Sequence, residues 1–305
     1  MADFSLPKTI LAPMAGYTDA GLRLLAKKYH CGLTVTEMVS ICALVYGNDA
    51  CKELLTSYEP GLKSAQVFGH DVEMFKRAFD KDFFNDYDVI DLNVGCPVKK
   101  IVSNGDGSAL LDNPSLVGEI VKVIKDLSKK PVSVKMRIGR TDGKNALDFA
   151  KAMQDAGAEF LVVHGRTAKQ MYSGEVDYDK IVEIAQNVSI PVFANGNVTT
   201  KEQFDDLVSK GCHGVAVGRG ALGKPYIFAE LEEKPFEFDL QQTVFYHFDV
   251  LCKYMPEKVA VNEMKKHIAC YFKGQRGSKQ LINDVNLAKS KECLLQLLEK
   301  YFIMN

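Results

Sequence analysis

The stretch Asp91–Asn113, DLNVGCPVKKIVSNGDGSALLDN, carries the residue best suited to chemistry. Its apolar surroundings, VIDLNV, read as a buried strand that breaks at Gly95, Cys96 and Pro97. A glycine-punctuated loop follows, over 98–112, and a helix is expected from about Pro114. A thiol at a strand end sits on a rigid edge, beneath a loop able to close over it. On these residues alone Cys96 reads equally as a reactive group or as a small buried hydrophobe. A free thiol has a pKa of about 8.5 and is mostly protonated at neutral pH, which suits a general acid.

Other polar residues interrupt apolar runs in the same way. Lys135 lies inside VSVKMRI, where a buried ammonium needs an anion, a polar ligand, a shifted pKa or an internal ion pair, for instance with Glu37. His164 and Arg166 close FLVVHGR, Asn195 and Gly196 close FANG, and Gly218 and Arg219 lie in VGRG. The last two glycine-bearing ends suit a phosphate, held by backbone N–H groups with Arg219 adding a charge-assisted bond.

These residues need a frame that brings strand ends together. Eight short apolar runs alternate with helix-period segments: 9–15, 33–39, 63–69, 89–95, 132–138, 160–166, 191–197 and 214–220. Asp71, Asn113 and Thr199 are expected N-caps, and Gly157 and Gly211 are expected just past helix ends. The unit 40–62 is the least regular. Eight such units predict a (β/α)8 TIM barrel. A doubly wound sheet is the alternative, but APMAGYTD after the first run does not match its glycine fingerprint. After Pro235 the strands stop. Helices are expected over 241–254, 259–273 and 286–302, with 274–283 as a polar connector. The reading is a barrel over 1–235 followed by a small all-helical C-terminal domain over 241–305.

Composition narrows the rest. With 305 residues and 47% hydrophobic content, the chain can bury one large core and a small one. Net charge is −1, but residues 241–305 carry ten Lys/Arg against six Asp/Glu, and the other 240 residues carry 28 against 33. A basic tail on an acidic body hints at an anionic partner. The eight cysteines form no CxxC and no zinc-like spacing, so no metal is expected. MADFSLPKTI does not read as a leader, and no apolar run is long enough to span a membrane. A cytoplasmic protein with reduced thiols, monomeric by default, is the expectation.

APMAGYTD, QVFG, DLNVGCPVKKIVSNGDGSALL, VKMRIG, VVHGRTAKQMYSG, FANGNV and GVAVGRGALGKPYIF occur in this order. Together they resemble the bacterial type of the tRNA-dihydrouridine synthase family, along nearly the whole expected barrel. EMKKHIACYFKG is similar to that family's helical-domain signature. Lys265 stands there where an arginine is common, and Cys270 where an aromatic residue is common. The resemblance implies an FMN-dependent enzyme that reduces the C5–C6 double bond of uridine in tRNA to 5,6-dihydrouridine, with NADPH or NADH as reductant. It implies Cys96 as the proton donor to C5, in agreement with the acid role above. It implies Pro13, Met14 and Gln66 along the flavin ring, Lys135 at its N1–O2 edge and His164 nearby. Asn195, Gly196, Gly218 and Arg219 would hold the flavin phosphate. Asn93 would bind the target uracil, with Arg137 and Tyr172 as further candidates. Lys265, Lys266 and His267, with Lys273, Arg276 and Lys279, would grip the RNA backbone. The competing reading is an FMN barrel oxidoreductase acting on a small molecule.

Overall fold

The β-branched runs form short parallel strands: β1 (Thr9–Leu11), β2 (Leu33–Val35), β3 (Val39–Ser40), β4 (Lys63–Phe68), β5 (Val89–Val94), β6 (Val132–Arg137), β7 (Phe160–His164), β8 (Val192–Asn195) and β9 (Gly214–Val217). A computed structural model describes residues 5–304, so residues 1–4 of the segment read for a leader lie outside it. The strands pair in the order β2-β1-β9-β8-β7-β6-β5-β4-β3, and β2 also pairs with β4, which closes the sheet. Nine segments fill eight places, because the expected strand 33–39 breaks at Thr36–Met38. Thr36 keeps that place sealed. Its N–H donates to Ser64 O at 3.0 Å, and its hydroxyl accepts from Gln66 N at 3.0 Å. The break frees the Glu37 carboxylate to accept from Gly16 N–H beyond the end of β1. The fold is the expected (β/α)8 barrel with C-terminal helices.

Alternation along each strand sorts side chains between two layers. Leu92, Val94, Val134 and Met136 face outward into the main core beneath the surrounding helices. Each fully buried side chain of that size contributes about 1.5–3 kcal/mol. Ile10, Leu33, Val35, Val89, Phe160, Val162 and Phe193 fill the barrel interior. Asp91, Asn93, Ser133 and Lys135, one residue out of phase with the outward set, therefore point into the barrel.

Helices Ala20–Lys28, Val72–Phe79, Pro114–Ser128, Ala146–Asp155, Tyr178–Asn187 and Lys201–Ser209 wrap the sheet. Asp71 and Asn113 cap their helices as expected, and Gly157 and Gly211 take positive φ just past helix ends. The cap at 199 is displaced by one residue. Thr200 accepts from Gln203 N, while Thr199 N donates to Gln203 Oε1 at 2.9 Å. The irregular unit 40–62 holds two short helices, Ile41–Val45 and Asp49–Glu53.

Four C-terminal helices follow, not three: Leu240–Tyr254, Glu257–Tyr271, Ser278–Leu287 and Lys291–Met304. The expected polar connector is itself half helical, because Leu281 and Val285 bury into the second core. That core takes in Leu25 from the barrel helix Ala20–Lys28 and Tyr29 just past its end, so barrel and C-terminal helices meet along a shared apolar seam.

A buried polar cluster crosses the seam. Asp19 caps the helix Ala20–Lys28 through Leu22 N at 2.9 Å and also accepts from His247 Nε2 at 3.0 Å and His267 Nε2 at 2.7 Å. His247 Nδ1 lies 2.9 Å from Tyr271 OH, and His267 Nδ1 is buried without a partner. Gly21 permits this approach, since a Cβ there would lie 2.2 Å from the His247 ring. Burial works against the Asp19 carboxylate, but the two histidines overcome it and hold the group well below the usual carboxylate range. Beside it Arg23 pairs with Glu59 at 2.7 Å, both buried. Among the described residues no helix is long and apolar enough to cross a membrane.

Candidate active site at the barrel mouth

Strand register sets the site residues side by side. Gln66 pairs with Asp91, Asn93 with Lys135, Arg137 with His164, and His164 with Asn195. Residues far apart in sequence thus form one ring at the C-terminal ends of the strands, the end that carries chemistry in such barrels.

Cys96 sits just past β5, half-buried. Its backbone N–H donates to Asn93 Oδ1 at 2.9 Å, and its carbonyl accepts from Ser108 N at 3.0 Å. Gly107, at φ +58°, presses on the same turn. A Cβ at Gly107 would lie 2.7 Å from Cys96 O, so no side chain fits there. The loop 98–112 is not an open flap. It carries a helical turn, Lys99–Ser103, and a 3-10 turn, Gly107–Asp112, packed against Cys96, and Asp106 Oδ1 lies 2.8 Å from His70 Nδ1. Burial pushes the Cys96 thiol up, more than the Val98 backbone, Lys135 and Arg137 pull it down. The thiol therefore holds its proton at neutral pH.

Four cations surround this ring: Lys135, Arg137, Arg166 and Arg219. Among the described residues none of the four joins an ion pair with a carboxylate, although surface lysines and the seam arginine do. Burial and then Arg137 drive the Lys135 ammonium down to about 8, against the pull of Asp91 and Cys96. His164 is pushed down to about 2 by burial and by all four cations, so it is neutral. Arg166 Nη1 lies 3.4 Å from His164 Nε2. An arginine only donates, so Nε2 accepts and the ring proton sits on Nδ1.

The arginines have distinct tasks. Arg137 Nε donates to Gly95 O at 2.9 Å, and its Nη1 donates to Thr167 O at 2.9 Å and Met171 O at 2.7 Å. It ties the cysteine turn to the loop after β7. Arg166 Nη2 donates to Gly174 O at 2.9 Å in that same loop. Arg219 Nη2 donates to Asn197 Oδ1 at 3.1 Å. The exposed ring of Tyr172 lies between two of them, 5.6 Å from the Arg137 guanidinium and 5.1 Å from that of Arg219.

The structure brings together Cys96, Asn93, Gln66, Lys135, Arg137, His164, Tyr172, Asn195, Gly196, Gly218 and Arg219 on the one mouth. Pro13 and Met14 border it, with Met14 Sδ 3.4 Å from where a Gly218 Cβ would stand. Asn93 is almost saturated. Its oxygen accepts from Gly95 N and Cys96 N, one N–H goes to Gln66 Oε1 at 2.9 Å, and only the N–H on Met38 Sδ at 3.8 Å is weakly held.

The helical-segment residues separate. His267 is fully buried in the seam cluster and offers nothing to an RNA surface, which corrects its expected place. Lys266 is half-buried, pairs with Glu263 and lies 5.7 Å from the Tyr17 ring, turned toward the barrel loop. Lys265 bonds Asn262 Oδ1 at 3.4 Å and Asn286 O at 3.3 Å. Lys273, Arg276 and Lys279 are exposed. Sequence reasoning passed over Asp91 and Ser133, although each stands two residues before a chosen one on the same strand face. It had no means of finding Asp19 with His247, which are 228 positions apart.

A closed parallel barrel with a protonated thiol and four cations at the C-terminal ends of its strands has the layout of a barrel enzyme. The dihydrouridine synthase (Dus) family model matches residues 10–304. The chain is 33% identical to tRNA-dihydrouridine synthase B of Vibrio vulnificus over 97% of this chain and 95% of that protein. It is 35% identical to tRNA-dihydrouridine synthase B of Shewanella oneidensis, over 96% and 94%. A probable tRNA-dihydrouridine synthase of Rickettsia conorii is 36% identical, over 92% and 91%. The chain belongs to the dihydrouridine synthase family, and its enzyme class is that of a tRNA-dihydrouridine synthase.

Proposed function

We propose that this enzyme reduces the C5–C6 double bond of specific uridines in tRNA with FMN as cofactor and NADPH, or NADH, as electron source, and that Cys96 protonates C5. The observation that carries the reading is the protonated Cys96 thiol beside Lys135 and Arg137, on a mouth where, among the described residues, these two cations, Arg166 and Arg219 join no ion pair with a carboxylate. Those cations fit a phosphate and a ring that gains negative charge. When bound, the flavin supplies the electron pair that reduces the uracil ring.

The protein's own residues do the rest. Arg219, with backbone at Gly196 and Gly218 and the amide of Asn195, would hold the phosphate. Neutral His164 would offer its Nδ1–H to the flavin without competing for the charge. Lys135 would stand at the N1–O2 edge, where negative charge develops on reduction, and Pro13 and Met14 would line the ring, with the buried Gln66 beneath it reaching it only if its bonds to Asp91 and Asn93 shift. Asn93 offers its remaining N–H to the target uracil, between Cys96 and the Arg137–Tyr172 pair. The Cys96 S–H bond breaks as the C5–H bond forms, and the thiolate left behind is stabilised by Lys135 and Arg137. The base must leave its stack to reach this depth. Lys99, Lys100, Lys265, Lys266, Lys273, Arg276 and Lys279 supply electrostatic grip on the RNA backbone. The protein works in the cytoplasm, as a monomer.

Cys96→Ala tests the assignment. Flavin reduction by NADPH should persist while dihydrouridine formation falls at least about 100-fold. If both half-reactions survive, the proton-donor role is wrong. Position-resolved mass spectrometry of tRNA from a strain lacking the protein tests the substrate. An unchanged profile would return the enzyme to a small-molecule substrate.

A further inference from the structure

Gln66, Asp91 and Ser133 are 0%, 2% and 1% exposed, and the mechanism above gives Asp91 and Ser133 no task. They form one chain with Asn93. Asp91 Oδ1 accepts from Ser133 Oγ at 2.6 Å, and Asp91 Oδ2 accepts from Gln66 Nε2 at 2.6 Å. Gln66 Oε1 accepts from Asn93 Nδ2 at 2.9 Å. Asn93 Oδ1 then accepts from Gly95 N at 3.1 Å and Cys96 N at 2.9 Å.

The chain has a direction. A carboxylate only accepts, and a backbone N–H only donates. Each amide between them has one accepting and one donating end. With an acceptor at the Asp91 end and two donors at the Cys96 end, only one orientation of Gln66 and of Asn93 satisfies every bond. Turning either amide over sets oxygen against oxygen, or N–H against N–H, in a buried place, which is costly.

We propose that Asp91 is a positioning residue whose carboxylate, through the aligned amides of Gln66 and Asn93, fixes the Gly95–Cys96 turn and so aims the Cys96 thiol. The consequence for uridine reduction rests on the reading of Cys96 as proton donor, but the alignment itself does not. The relay also explains why Asn93 has a single N–H to give a substrate. Only an ionised Asp91 accepts from Ser133 Oγ and Gln66 Nε2 at once. Burial pushes the Asp91 carboxyl up to about 6, against the Ser133 and Gln66 bonds and the Lys135 charge. Lys135 on β6 is the charged group acting on Asp91, and Arg137 and Cys96 act on Lys135 in turn. A protonated Asp91 gives up one of these two acceptors, its hydroxyl turning Ser133 into an acceptor or reversing Gln66, so the charge that pins the relay is present above about pH 6 and is lost as pH falls below it.

Site-resolved amide hydrogen exchange on the full chain, labelled at glycine and cysteine, reads the relay without any turnover. In Asp91→Asn the amides of Gly95 and Cys96 should exchange about tenfold faster, equivalent to about 1.4 kcal/mol. Other labelled amides serve as the control for general loosening. The double variant Asp91→Asn with Gln66→Glu moves the carboxylate one step along and restores the direction, so protection should return. Ordinary packing damage predicts the double variant to be worse than the single one. In the unmodified protein the same two amides should lose protection, after correction for intrinsic exchange, as pH drops through about 6. If Asp91→Asn does not fold, Ser133→Ala removes a bond that favours the carboxylate and should move that midpoint upward. Unchanged protection in Asp91→Asn, no recovery in the double variant, or a midpoint unmoved by Ser133→Ala overturns the proposal. None of these outcomes depends on whether Cys96 protonates uracil, and the Cys96→Ala half-reactions do not depend on Asp91.

Discussion

At the seam, charge is matched. The Asp19 carboxylate collects His247, His267 and Leu22 N–H, and Arg23 meets Glu59 at 2.7 Å. At the mouth, Lys135, Arg137, Arg166 and Arg219 stand around a neutral histidine, and among the described residues none joins an ion pair with a carboxylate. The seam cluster is buried throughout, and at the mouth Arg137 and Arg166 are buried while Arg219 reaches solvent, so desolvation weighs on both places. A matched cluster needs nothing further and serves to join two parts of a fold. An unmatched one holds an electrostatic deficit that a ligand can fill. The contrast also explains His267. It sits in the sequence next to two lysines, yet it belongs to the seam, while Lys266 turns to the barrel loop and Lys273, Arg276 and Lys279 stay in solvent.

Changes at the two places should therefore fail differently. Asp19→Ala leaves two buried imidazole N–H groups without an acceptor, at about 1–3 kcal/mol each, and removes a cap worth about 1 kcal/mol. Denaturant unfolding should show a loss of about 3 kcal/mol or more, and per folded molecule the affinity for flavin should hold. A small stability change there would mean the seam does not depend on the cluster. Arg219→Ala should do the reverse. Losing a charge-assisted bond at about 1.5–3 kcal/mol should weaken flavin binding about 10- to 100-fold by titration, with unfolding in the ligand-free state unchanged or improved. Equal flavin affinity would remove Arg219 from the phosphate site.

The third contrast is one of pH. His164 is held at about 2 in the folded chain and titrates at about 6.5 when unfolded. Between those values the unfolded chain binds a proton that the folded one refuses, so stability falls as pH drops below about 6.5, by up to about 1.4 kcal/mol per unit. His164→Gln should flatten part of that slope. The rest should remain, because His247 is also held down by burial. A slope untouched by His164→Gln would show that the mouth does not repel the proton. The smallest effect belongs to the solvent-facing cations. Lys273→Ala with Lys279→Ala should lower the slope of log affinity for tRNA against log salt by at most about two, with flavin retained.

Strand and helix periods, the Cys96 turn and the caps at Asp71 and Asn113 were legible because they depend on residues near in sequence. Side-chain alternation even places Asp91 on the same face as Asn93, and Ser133 on that of Lys135, though neither was singled out. The split of the second strand was not legible, since the contact that accompanies it, Glu37 with Gly16, joins residues 21 positions apart. The fourth C-terminal helix was missed because GQRGSKQLIN looks polar until Leu281 and Val285 find a core to enter.

The chain by itself determined its class. Eight apolar runs with chemistry-bearing ends favour a barrel over a doubly wound sheet, and their order carries the family. Tertiary structure decided which polar residues are spent and which are left over. Whether a histidine caps a seam or faces RNA, and whether an amide is saturated or free to bind, depends on partners scores or hundreds of positions away. Hydrogen bonds and desolvation act at a few ångströms in space, and sequence distance does not record that separation.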